Sequence, residues 1–222
     1  MDAEQYLVLF DVDGTLVDSQ LQIMDAMKDA FMAIDHPVPT LQDILSIVGL
    51  SLPDAFSRLL TNKPQHIQER CAETYKLAFA EARAKGAKPQ FYPGVYEVLA
   101  ELYRHPNYIL GIATGKSRRG LNALLDSYEI APWFVTAQVA DDHPSKPNPS
   151  MIKTAMREAN VDRNCTVMIG DTSFDIDMAK SAGVFAIGVD WGYHPHTKLA
   201  AADMLVHQAT DLLGAIENLL RE

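Results

Sequence analysis

Tyr6-Leu7-Val8-Leu9-Phe10-Asp11-Val12-Asp13-Gly14-Thr15 falls into two halves. The first is a short, unbroken apolar run that ends at an acidic residue, as expected of a strand buried on both faces of a parallel sheet. The second places carboxylates at i and i+2. In extended chain these positions point to one side. Asp11 and Asp13 therefore leave the C-terminal end of the strand together, where open α/β sheets bind ligands. Gly14 allows the positive-φ turn that follows. Two carboxylates about 5 Å apart repel by roughly 3 kcal/mol at an effective dielectric of about 20. A cation, a proton or both must compensate.

Outward from this segment, similar runs occur at Tyr108 to Ala113, Trp133 to Thr136, Thr166 to Ile169 and Val184 to Val189, with a weaker one at Met204 to His207. Helical patterns lie between them. One is opened by Pro93 at a first-turn position and runs to about Arg104, and another covers Ser117 to Tyr128. A third follows Asn148-Pro149 to about Asn160, and a fourth, Ser173 to Ala182, is stopped by Gly183. Thr210 caps a last one with Leu212, Leu213, Ile216, Leu219 and Leu220 on its apolar side. Alternating strands and helices predict an α/β fold, a Rossmann-like, mostly parallel sheet.

Residues 16–88 break the alternation, and no strand is predicted there. Ile23, Ala26, Met27, Ala30, Phe31 and Ile34 fall at helical spacing. Thr40 with Asp43, and Ser51 with Asp54, read as helix N-termini of the capping-box type, with Asp in place of Glu. A long helix follows Pro64 through Ile67, Cys71, Tyr75, Phe79 and Ala82, and Gly86-Ala87-Lys88-Pro89 reads as a linker. The expected organisation is an α/β core from residues 1–15 and 89–222 with an all-helical insert, 16–88, between the first and second strands.

A second acidic pair follows the Thr166 to Ile169 strand in Gly170-Asp171-Thr172-Ser173-Phe174-Asp175. Asp171 ends the strand, and Asp175, four residues on, faces the same side if a helix begins there. All-oxygen ligands select a hard cation, and a few carboxylates plus substrate phosphate suit Mg²⁺ better than Ca²⁺. Thr114 ends another strand, and Lys146, in Ser145-Lys146-Pro147-Asn148-Pro149, offers a compact charge for a phosphate oxygen or a crowded carboxylate.

Taken together, these segments resemble the haloacid dehalogenase superfamily of phosphohydrolases. Asp11 to Thr15 is similar to its first motif, Thr114 to its second, Lys146 to its third and Gly170 to Asp175 to its fourth, in that order along nearly the whole chain. The helical insert resembles the cap of the phosphoglycolate phosphatase and β-phosphoglucomutase branch. Asp18-Ser19 and Trp191-Gly192-Tyr193 resemble the phosphoglycolate phosphatase group. Gly115-Lys116 departs from the Asn-Lys or Ser-Lys common in relatives. The resemblance implies that Asp11 attacks phosphorus and becomes an aspartyl-phosphate. Asp13 would protonate the leaving alkoxide and then deprotonate water. Thr114 and Lys146 would bind the phosphoryl group. Asp11, the main-chain carbonyl of Asp13, and Asp171 would hold Mg²⁺, with Asp175 assisting through water, through Lys146 or directly. Gly49, Leu50 and Ser51 in the insert, with Gly115 and Lys116, are the expected substrate-side contacts.

Composition narrows the function further. Lys plus Arg number 19 against 29 Asp plus Glu, a net charge of -10. That balance disfavours nucleic acid and anionic membranes as partners. An anionic substrate then needs local cations. Two Cys exclude a disulfide scaffold and a four-cysteine zinc site, and Cys71 and Cys165 are read as buried thiols. Met1-Asp2-Ala3-Glu4-Gln5 lacks the basic flank of a signal peptide. A cytoplasmic monomer or homodimer with a small phosphorylated substrate is expected.

Several look-alikes fall away. Gly111-Ile-Ala-Thr-Gly115-Lys116-Ser117 has three residues between its glycines where a P-loop needs four. His194 and His196 are read as exposed loop histidines rather than metal ligands. Arg58 is a candidate for the cleft that its helix phase leaves open. The competing functions are a phosphomutase of the same branch and a non-catalytic phospho-receiver or phosphate-binding module.

Overall fold

The computed structural model describes residues 5–220; Met1 to Glu4, read above for their missing basic flank, lie outside the described residues. In chain order the elements are β1 (Tyr6–Phe10), β2 (Val17–Asp18), α1 (Gln20–Met32), α2 (Leu41–Leu45), α3 (Leu52–Leu59), α4 (Gln65–Ala84), β3 (Gln90–Phe91) and α5 (Val95–Arg104). Then come β4 (Tyr108–Thr114), α6 (Arg118–Ser127), β5 (Phe134–Val139), α7 (Ser150–Ala159), β6 (Thr166–Gly170), α8 (Ser173–Ala182), β7 (Phe185–Val189), β8 (Met204–Val206) and α9 (Leu212–Leu220).

The main sheet runs β5-β4-β1-β6-β7-β8, and every pairing in it is parallel. The apolar strand β1 is its centre, with Val8 facing Leu110 of β4 on one side and Val167 of β6 on the other. Side-chain alternation splits β1 between two cores. Val8 and Phe10 pack with Leu99, Leu121 and Ile216 from α5, α6 and α9, whereas Leu7 and Leu9 pack with Ile152 and Ile176 from α7 and α8. Burial on both faces is the reason this strand is apolar throughout.

Helices α1 to α4 enclose a third core, including Ile23, Met27, Phe31, Ile44, Phe56 and Cys71, and Phe174 of α8 reaches into it. The long helices α1 and α4 pack against each other, and Thr40 completes a capping box with Asp43 at α2. Ser51 caps α3 by accepting from the Asp54 N–H.

Some expectations change. Val17–Asp18 is a short strand after all, antiparallel to Gln90–Phe91, and ties the two crossing legs of the chain together. Two residues are too few to carry a periodicity. Pro93 stands ahead of α5 rather than in its first turn, because Gly94 at φ 80 is the N-cap. Strand β5 continues to Val139 beside β4, and Ile34 lies beyond the end of α1. Thr210 sits in a 3-10 turn before α9 rather than capping it. Cys71 is buried, but Cys165 is only half-buried. Among the described residues no helix is long and apolar enough to cross a membrane.

Candidate active site

The chain leaves β1 for β4 and β5 on one side, then returns past it to β6 on the other. The crevice beside the end of β1 is thus the topological switch point of the sheet. Asp11 follows β1, with its N–H bonded to the Ile169 carbonyl at 2.9 Å. Thr114 ends β4, Asp171 follows β6, and Lys146 lies in the loop between β5 and α7. Gly14 turns at φ 89, and a Cβ there would lie 2.2 Å from Asp171 Oδ2. Only glycine allows both the turn and this approach.

Lys146 is buried between two carboxylates, its Nζ 3.0 Å from Asp11 Oδ1 and 2.6 Å from Asp175 Oδ1. Burial alone pulls its ammonium down, but Asp11 and Asp175 outweigh that and hold it above the ordinary lysine value. Asp175 is at N3 of α8, where its Oδ2 accepts from the Thr172 N–H at 3.0 Å and the Thr172 hydroxyl at 2.7 Å. Asp171 Oδ1 accepts from the Thr15 hydroxyl and its Oδ2 from the Tyr193 N–H, both at 2.8 Å. Asp11 differs. Both its oxygens are buried and, apart from the Lys146 ion pair, have no well-formed hydrogen bond among the described residues. Burial, with Asp175 adding to it and Lys146 opposing, pushes its carboxyl up to about 6. Burial, Asp175 and Asp11 push Asp171 up well above the usual carboxylate range.

Asp11, Asp171 and Asp175 present oxygens within 4.8 Å of one another. Such a buried all-oxygen cluster, in which Asp11 Oδ2 has no partner among the described residues, fits a hard divalent cation. The Asp13 carboxylate lies outside it. Lys116 Nζ grips both its oxygens at 2.7 and 2.6 Å, and the Ser19 hydroxyl donates to Oδ1. Lys116, expected among the substrate-side contacts, is thereby a largely buried ion-pair partner of Asp13.

Around these residues the helical insert meets the core. Gly49 and Leu50 line the cleft with Thr114, Gly115 and Lys116. A Cβ at position 115 would lie 2.5 Å from the Gly49 carbonyl oxygen, which gives the departure from Asn or Ser a steric reason. Ser51 does not line the cleft; its hydroxyl caps α3, and its N–H donates to Ser145 Oγ at 2.9 Å. Arg58 stands over the Phe174 ring, 5.2 Å from its centroid, outside the cleft.

His196 is exposed as expected, but His194 is buried. Bonding of the Tyr193 N–H to Asp171 draws this loop inward, so His194 Nδ1 accepts from the Ser173 N–H at 3.1 Å and Nε2 reaches the Ser46 carbonyl at 3.3 Å. Burial lowers its pKa, in keeping with a neutral ring that joins core to insert. Gly111 lies inside β4 against Leu9 and Thr136, which disposes of the P-loop look-alike. Thr15, Ser19 and Tyr193 carry site contacts that sequence reasoning assigned to no role. Thr15 falls in the first motif, and Ser19 and Tyr193 in the two segments that resemble the phosphoglycolate phosphatase group, so the sequence marks their segments but not their contacts.

A family model for haloacid dehalogenase-like hydrolases matches residues 8–189. The chain is 36% identical over 220 residues to "Probable phosphatase IndB" of Dickeya dadantii, covering 97% of this chain and 95% of that protein. It is 30% identical over 218 residues to a phosphoglycolate phosphatase of Vibrio vulnificus, covering 95% of each. Its fold matches the crystal structure of a predicted phosphatase from Clostridium acetobutylicum with a TM-score of 0.86 and 25% identity, over 98% of this chain and 100% of that one. With the family model spanning both acidic pairs and the lysine between them, the chain belongs to the haloacid dehalogenase-like hydrolases.

Proposed function

We propose that this chain hydrolyses small phosphate monoesters through an aspartyl-phosphate on Asp11, with Mg²⁺ held by Asp11, Asp171, Asp175 and the Asp13 main-chain carbonyl. The coarser statement, a phosphoric monoester hydrolase, follows from the family and from the phosphatases among its relatives. The observation that carries the finer one is Asp11 itself, a buried carboxylate at the switch point whose oxygens have, among the described residues, only the Lys146 ion pair, beside two further carboxylates. Bound Mg²⁺ would neutralise charge on this carboxylate and on the transferring phosphoryl oxygens.

In the first step an Asp11 oxygen bonds to phosphorus as the ester P–O bond breaks, and protonated Asp13 gives its proton to the departing alkoxide. In the second, water attacks the aspartyl-phosphate, Asp13 takes its proton, and inorganic phosphate leaves with Asp11 regenerated. Lys116 holds the Asp13 carboxylate in place at the reacting end, and its ammonium is a local cation for an incoming phosphate dianion. Lys146 holds Asp11 ionised against its burial and supplies positive charge to the phosphoryl group.

The test is turnover of acetyl phosphate and a panel of phosphate monoesters with Mg²⁺ or EDTA, with hydroxylamine trapping of acyl-phosphate at Asp11. Repeated Mg²⁺-dependent turnover and a label on Asp11 are expected. A single phosphorylation without turnover would point to a receiver, and phosphate transfer to sugar rather than water to a mutase.

A further inference from the structure

The cleft that opens at Asp11 and Asp13 is far longer than its reacting end. It encloses about 370 Å³. Liquid water occupies about 30 Å³ per molecule, so the space would hold about a dozen waters. A two-carbon acid would leave most of it wet. The insert is seated on the core at the phosphate end. Ser51 donates to Ser145 there, and the Gly49 carbonyl occupies the place a side chain at 115 would take.

The space runs instead between α4 and α6. Ser117, Gly120, Ala123, Leu124 and Ser127 line it, one face of α6 from its cap to its last turn. At 1.5 Å per residue the ten residues of α6 span about 15 Å. Opposite, Tyr75, Phe79 and Ala82 line it from α4, and the Tyr75 and Phe79 rings lie 5.0 Å apart. Met27 of α1 lines it as well. Lys116 stands at the Asp13 end and Lys88 at the Ser127 end, while the other charged lining residues beyond Asp11 and Asp13 include the exposed Lys76, Arg119 and Asp141, and most of the lining surface is apolar. The small residues of α6 leave the trench open, and the aromatic pair makes its floor apolar.

We infer that the cleft takes phosphate monoesters of elongated, mainly apolar alcohols or phenols, the phosphate at Asp11 and the leaving group lying along α6 against Tyr75 and Phe79. The inference rests on the phosphatase reading and names the substrate class of that site. The chemistry is unchanged: the bond from phosphorus to this alcohol breaks as the bond to Asp11 forms, and the proton from Asp13 goes to the alkoxide.

An n-alkyl phosphate series isolates the cleft, since the leaving-group basicity barely changes from ethyl to octyl phosphate. Full burial of a methylene is worth about 0.8 kcal/mol, roughly a fourfold gain. With partial burial, kcat/KM should rise at least tenfold from ethyl to hexyl phosphate and exceed that for 2-phosphoglycolate. Ala123→Trp fills the trench from α6 and should flatten the series, and Phe79→Ser should reduce its slope; circular dichroism checks that both variants fold. A flat or falling wild-type series, in a protein that turns over acetyl phosphate, overturns the inference and leaves the phosphatase reading standing. No turnover of any ester, acetyl phosphate included, overturns both. A rising series that Ala123→Trp leaves unchanged places the leaving group elsewhere and also overturns it.

Discussion

Replacing Asp11 by Asn should destroy activity and yet stabilise the metal-free protein. The carboxyl is held at about 6 instead of its ordinary 3.8, chiefly by burial. At pH 7.5 the folded chain keeps it ionised at a cost of about 3 kcal/mol relative to the unfolded chain. The sign follows from which state holds the proton. Between the two pKa values the folded state binds it and the unfolded state does not, so the contribution of Asp11 to wild-type stability is greatest below about pH 4 and is lost as pH rises through 6. Asn carries no charge and nearly the same shape, and Lys146 keeps Asp175 at 2.6 Å, so no cation is orphaned. In EDTA at pH 7.5 the variant should therefore gain about 3 kcal/mol, roughly 6–12 °C in Tm at this chain length. The gain should vanish by pH 4. Saturating Mg²⁺ should then stabilise the wild type by about 2.7 kcal/mol at a hundred times Kd and the variant far less. Thermal unfolding from pH 4 to 8, with EDTA and with Mg²⁺, measures all of this, while kcat should drop at least ~10³-fold. An Asp11→Asn protein that is no more stable in EDTA at pH 7.5, or whose advantage does not change with pH, would refute the reasoning.

Asp13→Asn should slow alkyl phosphates at least ~10²-fold more than p-nitrophenyl phosphate, whose leaving group needs no proton; paired kcat measurements read the ratio. Asp171→Ala should weaken the apparent Mg²⁺ affinity as well as kcat, seen in Mg²⁺ titrations of activity. Lys146→Ala leaves two buried carboxylates facing each other and should cost about 3–5 kcal/mol in urea unfolding while depressing every substrate alike. Gly115→Asn should drive the Gly49 turn off the core, lowering stability by about 1–3 kcal/mol and reordering a substrate panel more than it changes acetyl phosphate turnover.

The parts of this fold legible in the sequence are those whose cause is local. The unbroken apolar run of β1 reports burial on both faces, and a parallel sheet centred on it is what the structure holds. The i, i+4 spacing of Asp171 and Asp175 reports a helix start at Ser173, which turns both carboxylates toward Asp11. What stayed hidden is set by groups far apart in the chain. Thr15 bonds Asp171 across 156 positions and Ser19 bonds Tyr193 across 174, and no local pattern marks either. Lys116 shows the same limit from the other side. Its place among the expected substrate-side contacts says nothing of the ion pair, because the carboxylate it meets comes from position 13.

Charge at the site argues for the proposed metal independently of any motif. Asp11, Asp13, Asp171 and Asp175 meet two lysines, Lys116 and Lys146, and both lysines already contact carboxylates. With every group ionised the cluster carries two uncompensated negative charges, in a chain of net charge -10. A phosphate dianion brought to it would meet repulsion on each side except that of the lysines. Burial pushing both Asp11 and Asp171 up expresses the same excess as bound protons. Protonation is one way to relieve it, but a protonated Asp11 is no nucleophile. A divalent cation among Asp11, Asp171 and Asp175 relieves the excess with the nucleophile left ionised. The residues that make the site unfavourable without a cation are thus the ones that would make it selective for a hard divalent ion together with a phosphate.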